Sequence, residues 1–244
     1  MVIFWTMKSI YKKIYFHPLI LIFALIIILT GNLKNYLLFI SIILFHELGH
    51  ILISIIFRWK INKIIILPFG AITNFENSLN KPIYQELLIL IMGPIFQILY
   101  YHLTHNPYHY FLLFINLLPI FPLDGSKLLM LFLNKITSYY YSFTIVYTVS
   151  IILILRLLLF KNIVNYIMLL YLLTHLIKNI LLLKNTIISI CFDRYKNRYK
   201  FNKHIFIKKF SYKKIRRDRY HFFIVDGKVT GESEIFNKMF DKIR

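Results

Sequence analysis

One cysteine, Cys191, is present in 244 residues, so no intramolecular disulfide can form and the fold does not depend on an oxidising compartment. Acidic residues are also scarce, 10 against 30 lysines and arginines, for a formal charge of +20. Such an excess can mark a nucleic-acid binder, but here the basic residues fall between apolar segments and in a tail, with no aromatic-interleaved binding domain around them. Direct nucleic-acid binding is therefore not expected. Internal repeats and low-complexity tracts are absent beyond a general bias toward Ile, Leu, Lys, Asn and Tyr.

What the chain has in abundance is apolar length. Hydrophobic residues make up 58% of it and the mean hydropathy is +0.63. The expected fold is an α-helical polytopic membrane protein. Polar breaks divide the apolar sequence into six candidate spans: Ile14 to Thr30, Tyr36 to Phe57, Ile83 to Leu103, Tyr110 to Leu133, Tyr139 to Phe160 and Ile163 to Leu183. Each is near the roughly 20 residues that a helix needs to cross the hydrocarbon core, the first being short.

Basic residues orient these spans. Lys8, Lys12 and Lys13 precede the first; Arg58, Lys60, Lys63 and Lys81 follow the second; Lys127 and Lys135 surround the end of the fourth. The alternate connections hold Lys34 alone, none between His102 and His109, and Lys161 alone. The positive-inside rule then puts both termini in the cytoplasm. The basic start and the apolar run to Leu29 imitate a secretory signal, but Leu29-Thr30-Gly31-Asn32 is a poor small-residue cleavage site, so the first span is expected to be retained.

Two non-helical features are expected. Ile64-Ile65-Ile66-Leu67-Pro68-Phe69-Gly70-Ala71 is too short for a span, rich in branched residues and broken by Pro and Gly, which suggests a strand or small hairpin at the membrane edge. Residues 191 to 244 carry 16 Lys and Arg against 6 Asp and Glu and are expected to form a small cytoplasmic domain or tail behind a core of residues 1 to 190. Within it, Phe222 to Val229 has an Asp-Gly pair placed for a tight hairpin turn, and the charge suits a solvated or headgroup-facing surface.

The chemistry is concentrated in His46-Glu47-Leu48-Gly49-His50, an H-E-x-x-H motif inside the second span. With 3.6 residues per turn, both histidines share one helix face and can hold a Zn²⁺ ion, while Glu47 beside them can activate water. Ionisable groups at this depth are expensive and persist mainly when they pair, bind metal or face water. A catalytic zinc usually has three protein ligands. Asp124, the only carboxylate between Glu86 and Asp193, is the candidate third, in a segment where Pro119, Pro122 and Gly125 interrupt the fourth span and can turn its side chain toward a metal. Asn116, near the same break, can either hold a substrate carbonyl or satisfy free backbone groups. His102, His105 and His109 have spacings of three and four, but suit ordinary interfacial polar groups better than a metal site. Gly93 before Pro94 reads as a close helix-packing point with a local kink.

His46 to His50 with Pro122-Leu123-Asp124-Gly125 resembles the site-2 protease family of intramembrane metalloproteases. Leu67-Pro68-Phe69-Gly70, Gly93-Pro94 and the stretch Asn116 to Gly125 resemble its sporulation branch. The resemblance covers roughly residues 17 to 135 and implies a six-span zinc endopeptidase in the mother-cell membrane around the forespore. Such an enzyme would remove the pro-sequence of a sporulation sigma-factor precursor and be restrained by accessory inhibitory membrane proteins. Ser126 stands where the family often has a second glycine, and the short tail leaves no room for paired nucleotide-binding repeats. A general site-2 protease acting on anti-sigma factors or signal-peptide remnants shares the motif, although no insertion here is long enough for an extracytoplasmic PDZ domain. A transporter or scaffold with a structural metal site is the alternative from another class, and only the protease would need Glu47.

Overall fold

The computed structural model describes residues 13–29, 31–67, 70–76, 78–159, 163–225 and 228–241. The basic residues before Lys13, the cleavage-site reading at Thr30, the Pro68-Phe69 and Asp226-Gly227 turns and Lys161 lie outside them. The chain divides into two compact units, residues 1–78 with 83–118, and residues 79–82 with 119–244.

The first unit is built on two long apolar helices, α2 (Leu33–Ile56) and α3 (Ile83–Thr104), which follow the shorter α1 (Leu19–Leu29). At 1.5 Å per residue, the 24 residues of α2 span about 36 Å, enough to cross a bilayer core. Its contact with α3 is unusually close: a Cβ on Gly49 would lie 2.3 Å from the carbonyl oxygen of Met92. Only glycine allows that approach. Helix α4 (Tyr108–Leu117) completes the unit's helices.

A three-stranded sheet accompanies them, with strand order β1-β2-β3. Strand β1 (Ile14–Phe16) runs parallel to β2 (Ile61–Leu67), and β3 (Gly70–Phe75) pairs antiparallel with β2. The expected hairpin is present, with β3 on an edge. Its third strand changes the reading of the first span. Ile14 to Phe16 pair with Ile64 to Ile66, and the His17 amide donates to the Ile66 carbonyl at 3.0 Å, so these backbone groups are committed to the sheet. Pro18 also disfavours helical backbone at His17. Helix α1 is left with 11 residues, about 16 Å, roughly half the thickness of the hydrocarbon core.

In the second unit, α5 (Asp124–Ile136), α6 (Tyr139–Leu157), α7 (Ile163–Leu181) and α8 (Leu183–Asn197) lead to a sheet of β4 (His204–Ile207), β5 (Tyr220–Val225) and β6 (Lys228–Gly231), followed by α9 (Glu232–Phe240). Among the described residues, α2, α3 and α6 are long and apolar enough to cross a membrane. A fourth span arises if Tyr166–Leu181 and Leu183–Asn197, bent by 60°, act as one. Of the six expected segments, three or four therefore stand out as helices of spanning length among the described residues; the first is partly strand and the fourth is broken between Leu117 and Asp124.

The basic C-terminal segment is folded around Arg194. Its guanidinium donates to Asn80 Oδ1 at 2.9 Å, to the Arg216 carbonyl at 2.7 Å and to the Arg219 carbonyl at 3.2 Å, and lies 3.4 Å from Glu232 Oε2. Asn80 in turn donates to Asp193 Oδ2 at 2.7 Å. His221 Nε2 accepts the Arg216 amide at 3.0 Å, so its proton sits on Nδ1, 2.6 Å from Glu232 Oε2. Burial holds this imidazole below its ordinary pKa, against the upward pull of Glu232, and the neutral ring fits both bonds.

Candidate metal centre

His46, Glu47 and His50 all lie on α2 and all are buried. Their surroundings fix the protons on both imidazoles. Gln97 Nε2 donates to the His109 carbonyl at 2.7 Å, which points Gln97 Oε1 at His46 Nδ1, 2.8 Å away. An amide oxygen can only accept, so His46 carries a proton on Nδ1. His50 Nδ1 is 2.7 Å from the Ile89 carbonyl, with the same consequence. The two Nε2 atoms then face each other at 3.1 Å. That spacing suits a proton shared between the rings or a cation held by both.

These features fit zinc. A tetrahedral ion with bonds of 2.0–2.1 Å separates two nitrogen ligands by about 3.3 Å, close to the observed spacing, and metal-binding histidines ordinarily donate their other N–H to a carbonyl or carboxylate. Gly93 supplies the room. A Cβ there would lie 2.4 Å from both Cε1 and Nε2 of His50 and 2.8 Å from His46 Nε2. The glycine read as a helix-packing point thus also clears the faces of both rings. Gly93→Ala is expected to cut zinc content by more than half while leaving helix content unchanged, measured by metal analysis and circular dichroism. Full zinc retention would show that the rings can move aside.

Glu47 meets a partner from the sheet: Thr73 Oγ1, on β3, donates to Glu47 Oε2 at 2.7 Å. The bond occupies one carboxylate oxygen and sets the side chain's orientation. Asn116 lies in the last turn of α4, half-buried, with no hydrogen bond from its amide among the described residues. That leaves the amide available to a ligand.

Asp124 belongs to the second unit and opens α5, where the helix dipole favours its charge. It is buried, and Lys127 Nζ lies 2.9 Å from its Oδ1. The irregular backbone before it is stabilised by α6: the Phe121 amide donates to Ser150 Oγ at 2.9 Å, and that hydroxyl is 3.4 Å from the Pro119 carbonyl. His109 is buried and bonded through Nε2 to Thr104 Oγ1 at 2.7 Å, while His102 and His105 are exposed; the three do not gather into a ligand set among the described residues.

Gln97 and Thr73 were not singled out by the sequence reading. Gln97 had a usable signal, as a polar residue one helical turn after Gly93 in an apolar helix. Thr73 had only its place in an alternating strand.

Residues 35–104 match Peptidase family M50. The chain is 36% identical over 139 residues to stage IV sporulation protein FB of Bacillus subtilis, covering 50% of this chain and 48% of that protein. It is 30% identical over 147 residues to a zinc metalloprotease of Methanocaldococcus jannaschii, covering 50% and 43%. The chain therefore spans about half the length of these curated relatives. Its fold is similar to the solved site-2 protease from Methanocaldococcus jannaschii, with a TM-score of 0.55 and 26% identity over 68% of this chain and 89% of that one.

Proposed function

We propose that this chain is an intramembrane zinc endopeptidase of the site-2 protease type. The observation that carries the reading is the buried His46 and His50 pair, each Nδ1 tied to an acceptor and the two Nε2 atoms 3.1 Å apart. Asp124 is the proposed third ligand. All three are buried, and each has a donor atom of a type that zinc takes. A bound zinc would lower the pKa of a water molecule and polarise the scissile carbonyl.

Glu47 takes the proton of the attacking water through the carboxylate oxygen that Thr73 does not occupy, and returns it to the leaving amine. Asn116 donates to the carbonyl oxygen as negative charge develops there. A substrate helix hides its amides in internal hydrogen bonds, so the scissile segment must first become extended. The open edge of β3 can receive it by strand addition, next to the residue that orients Glu47.

The sporulation resemblance, supported by the identity to stage IV sporulation protein FB, makes the pro-sequence of a sigma-factor precursor the proposed substrate. Accessory inhibitory membrane proteins would be its restraint and the mother-cell membrane around the forespore its location. In this reading the broken and bent helices complete six spans, both termini are cytoplasmic, and residues 191–244 form a module separate from the catalytic core. The test is co-expression with candidate precursors. One precursor should be shortened at its N-terminus, and in detergent the cleavage should stop on chelation and return with zinc. Cleavage of anti-sigma factors alone would move the chain to the general type, and no cleavage of any membrane substrate would reject the protease reading.

A further inference from the structure

The C-terminal sheet has one buried face and one exposed one. Ile207 and Phe223 are buried in the domain with Phe236 of α9. On the alternate positions Phe206 is 66% exposed and stacks on Phe222, with ring centroids 5.3 Å apart, while His204 lies 5.8 Å from the same ring. Ile224 and Val229, paired across β5 and β6, are exposed as well. Large apolar groups grouped on one face generally mark a contact surface.

The charge around this face has one sign. Residues 200–220 contain nine lysines and arginines and one acidic residue, Asp218. Lys203, Lys208, Lys209, Lys213 and Lys214 are all exposed, and none forms an ion pair among the described residues. The same segment is fastened to the start of a helix able to cross a membrane. The Tyr139 amide donates to the Ile215 carbonyl at 3.0 Å, Ser138 Oγ donates to the Lys213 carbonyl, and Lys213 Nζ stands 4.9 Å from the centroid of the Tyr140 ring. Tyrosines at the end of a span sit at headgroup depth. A segment bonded to them is held there too.

We propose that Phe206 and Phe222 rest in the bilayer interface while Lys203, Lys208, Lys209, Lys213 and Lys214 bind the phosphates of anionic lipids, making the C-terminal sheet a lipid-sensing surface. This goes beyond the protease reading and does not depend on it. Charge complementarity alone would also suit a soluble acidic partner. The attachment to α6 favours lipid, since it holds the surface permanently at the headgroups at high effective concentration. Each lysine close to the surface should strengthen the contact roughly fivefold.

The full chain in nanodiscs provides the test, through amide hydrogen exchange over residues 203–214. Phosphatidylcholine discs containing phosphatidylglycerol should slow exchange about tenfold or more relative to phosphatidylcholine alone, and high salt should remove most of the difference. A variant combining Lys208→Gln, Lys209→Gln, Lys213→Gln and Lys214→Gln should lose the salt-sensitive protection, whereas Phe206→Ser should lose a salt-insensitive part. Exchange over Glu232–Phe240 reports whether each variant remains folded, and the wild-type lipid comparison needs no variant. Equal exchange in the two lipids would overturn the proposal, as would protection that arises in neutral discs only on adding an acidic peptide or an oligonucleotide.

Discussion

Glu47→Gln should lower cleavage by about a thousandfold or more while leaving zinc content and membrane insertion near wild type, because a positioned general base contributes roughly 10²- to 10⁴-fold and also serves the leaving group here. The substitution isolates that role. Glutamine keeps the volume of the side chain and an oxygen that can still accept from Thr73 Oγ1, the bond seen at 2.7 Å, so neither packing nor the hydrogen bond is lost. It takes away only the capacity to bind and release a proton. Single-turnover cleavage of a membrane substrate, with metal analysis on the same sample, separates the outcomes. An active Glu47→Gln protein with zinc bound would sink the hydrolase reading and favour a structural metal site. Loss of activity accompanied by loss of zinc would show instead that Glu47 supports the metal.

The site was legible where it follows local geometry. His46 and His50 are one turn apart on any helix, whereas Asp124 is proposed for the site because the chain offers so few carboxylates. The partners that make the site specific come from far along the chain. Gln97 is 51 residues from His46 and Thr73 is 26 from Glu47, and no periodic pattern links such positions. The fold shows the same division. Both hairpins were legible from branched residues and turn chemistry, yet the strand at Ile14 to Phe16 was hidden inside an apolar run. Hydropathy reports that a segment avoids water, but not whether its backbone bonds within a helix or across to β2. For that reason the first segment and the broken fourth do not stand out as single long helices among the described residues. Arg194 illustrates the remaining gap: a basic residue among sixteen in the tail turned out to be the hub of the domain, with its partners supplied from Asn80, Arg216, Arg219 and Glu232.

Asp124→Asn is expected to lower zinc retention under mild chelation and cleavage each by more than about a hundredfold, beyond the roughly 10- to 100-fold that losing a neighbour of a ligand costs. Two other roles for Asp124 must be separated from coordination. It could simply cap α5, but a carboxylate in the first turn of a helix contributes about 0.3–1 kcal/mol, too little to unfold a membrane domain. It could simply pair with Lys127, 2.9 Å away. That lysine is 30% exposed, and a partly solvated pair contributes no more than about 1 kcal/mol. Lys127→Gln therefore serves as the comparison. It removes the same ion pair and leaves the carboxylate available to metal, so if Asp124 is a ligand zinc retention should fall by no more than the roughly 10- to 100-fold of a lost neighbour, and by less than in Asp124→Asn. Equal losses in Asp124→Asn and Lys127→Gln would make the ion pair the important feature. If Asp124→Asn retains zinc and activity in full, the carboxylate is outside the site and the third ligand must be sought elsewhere.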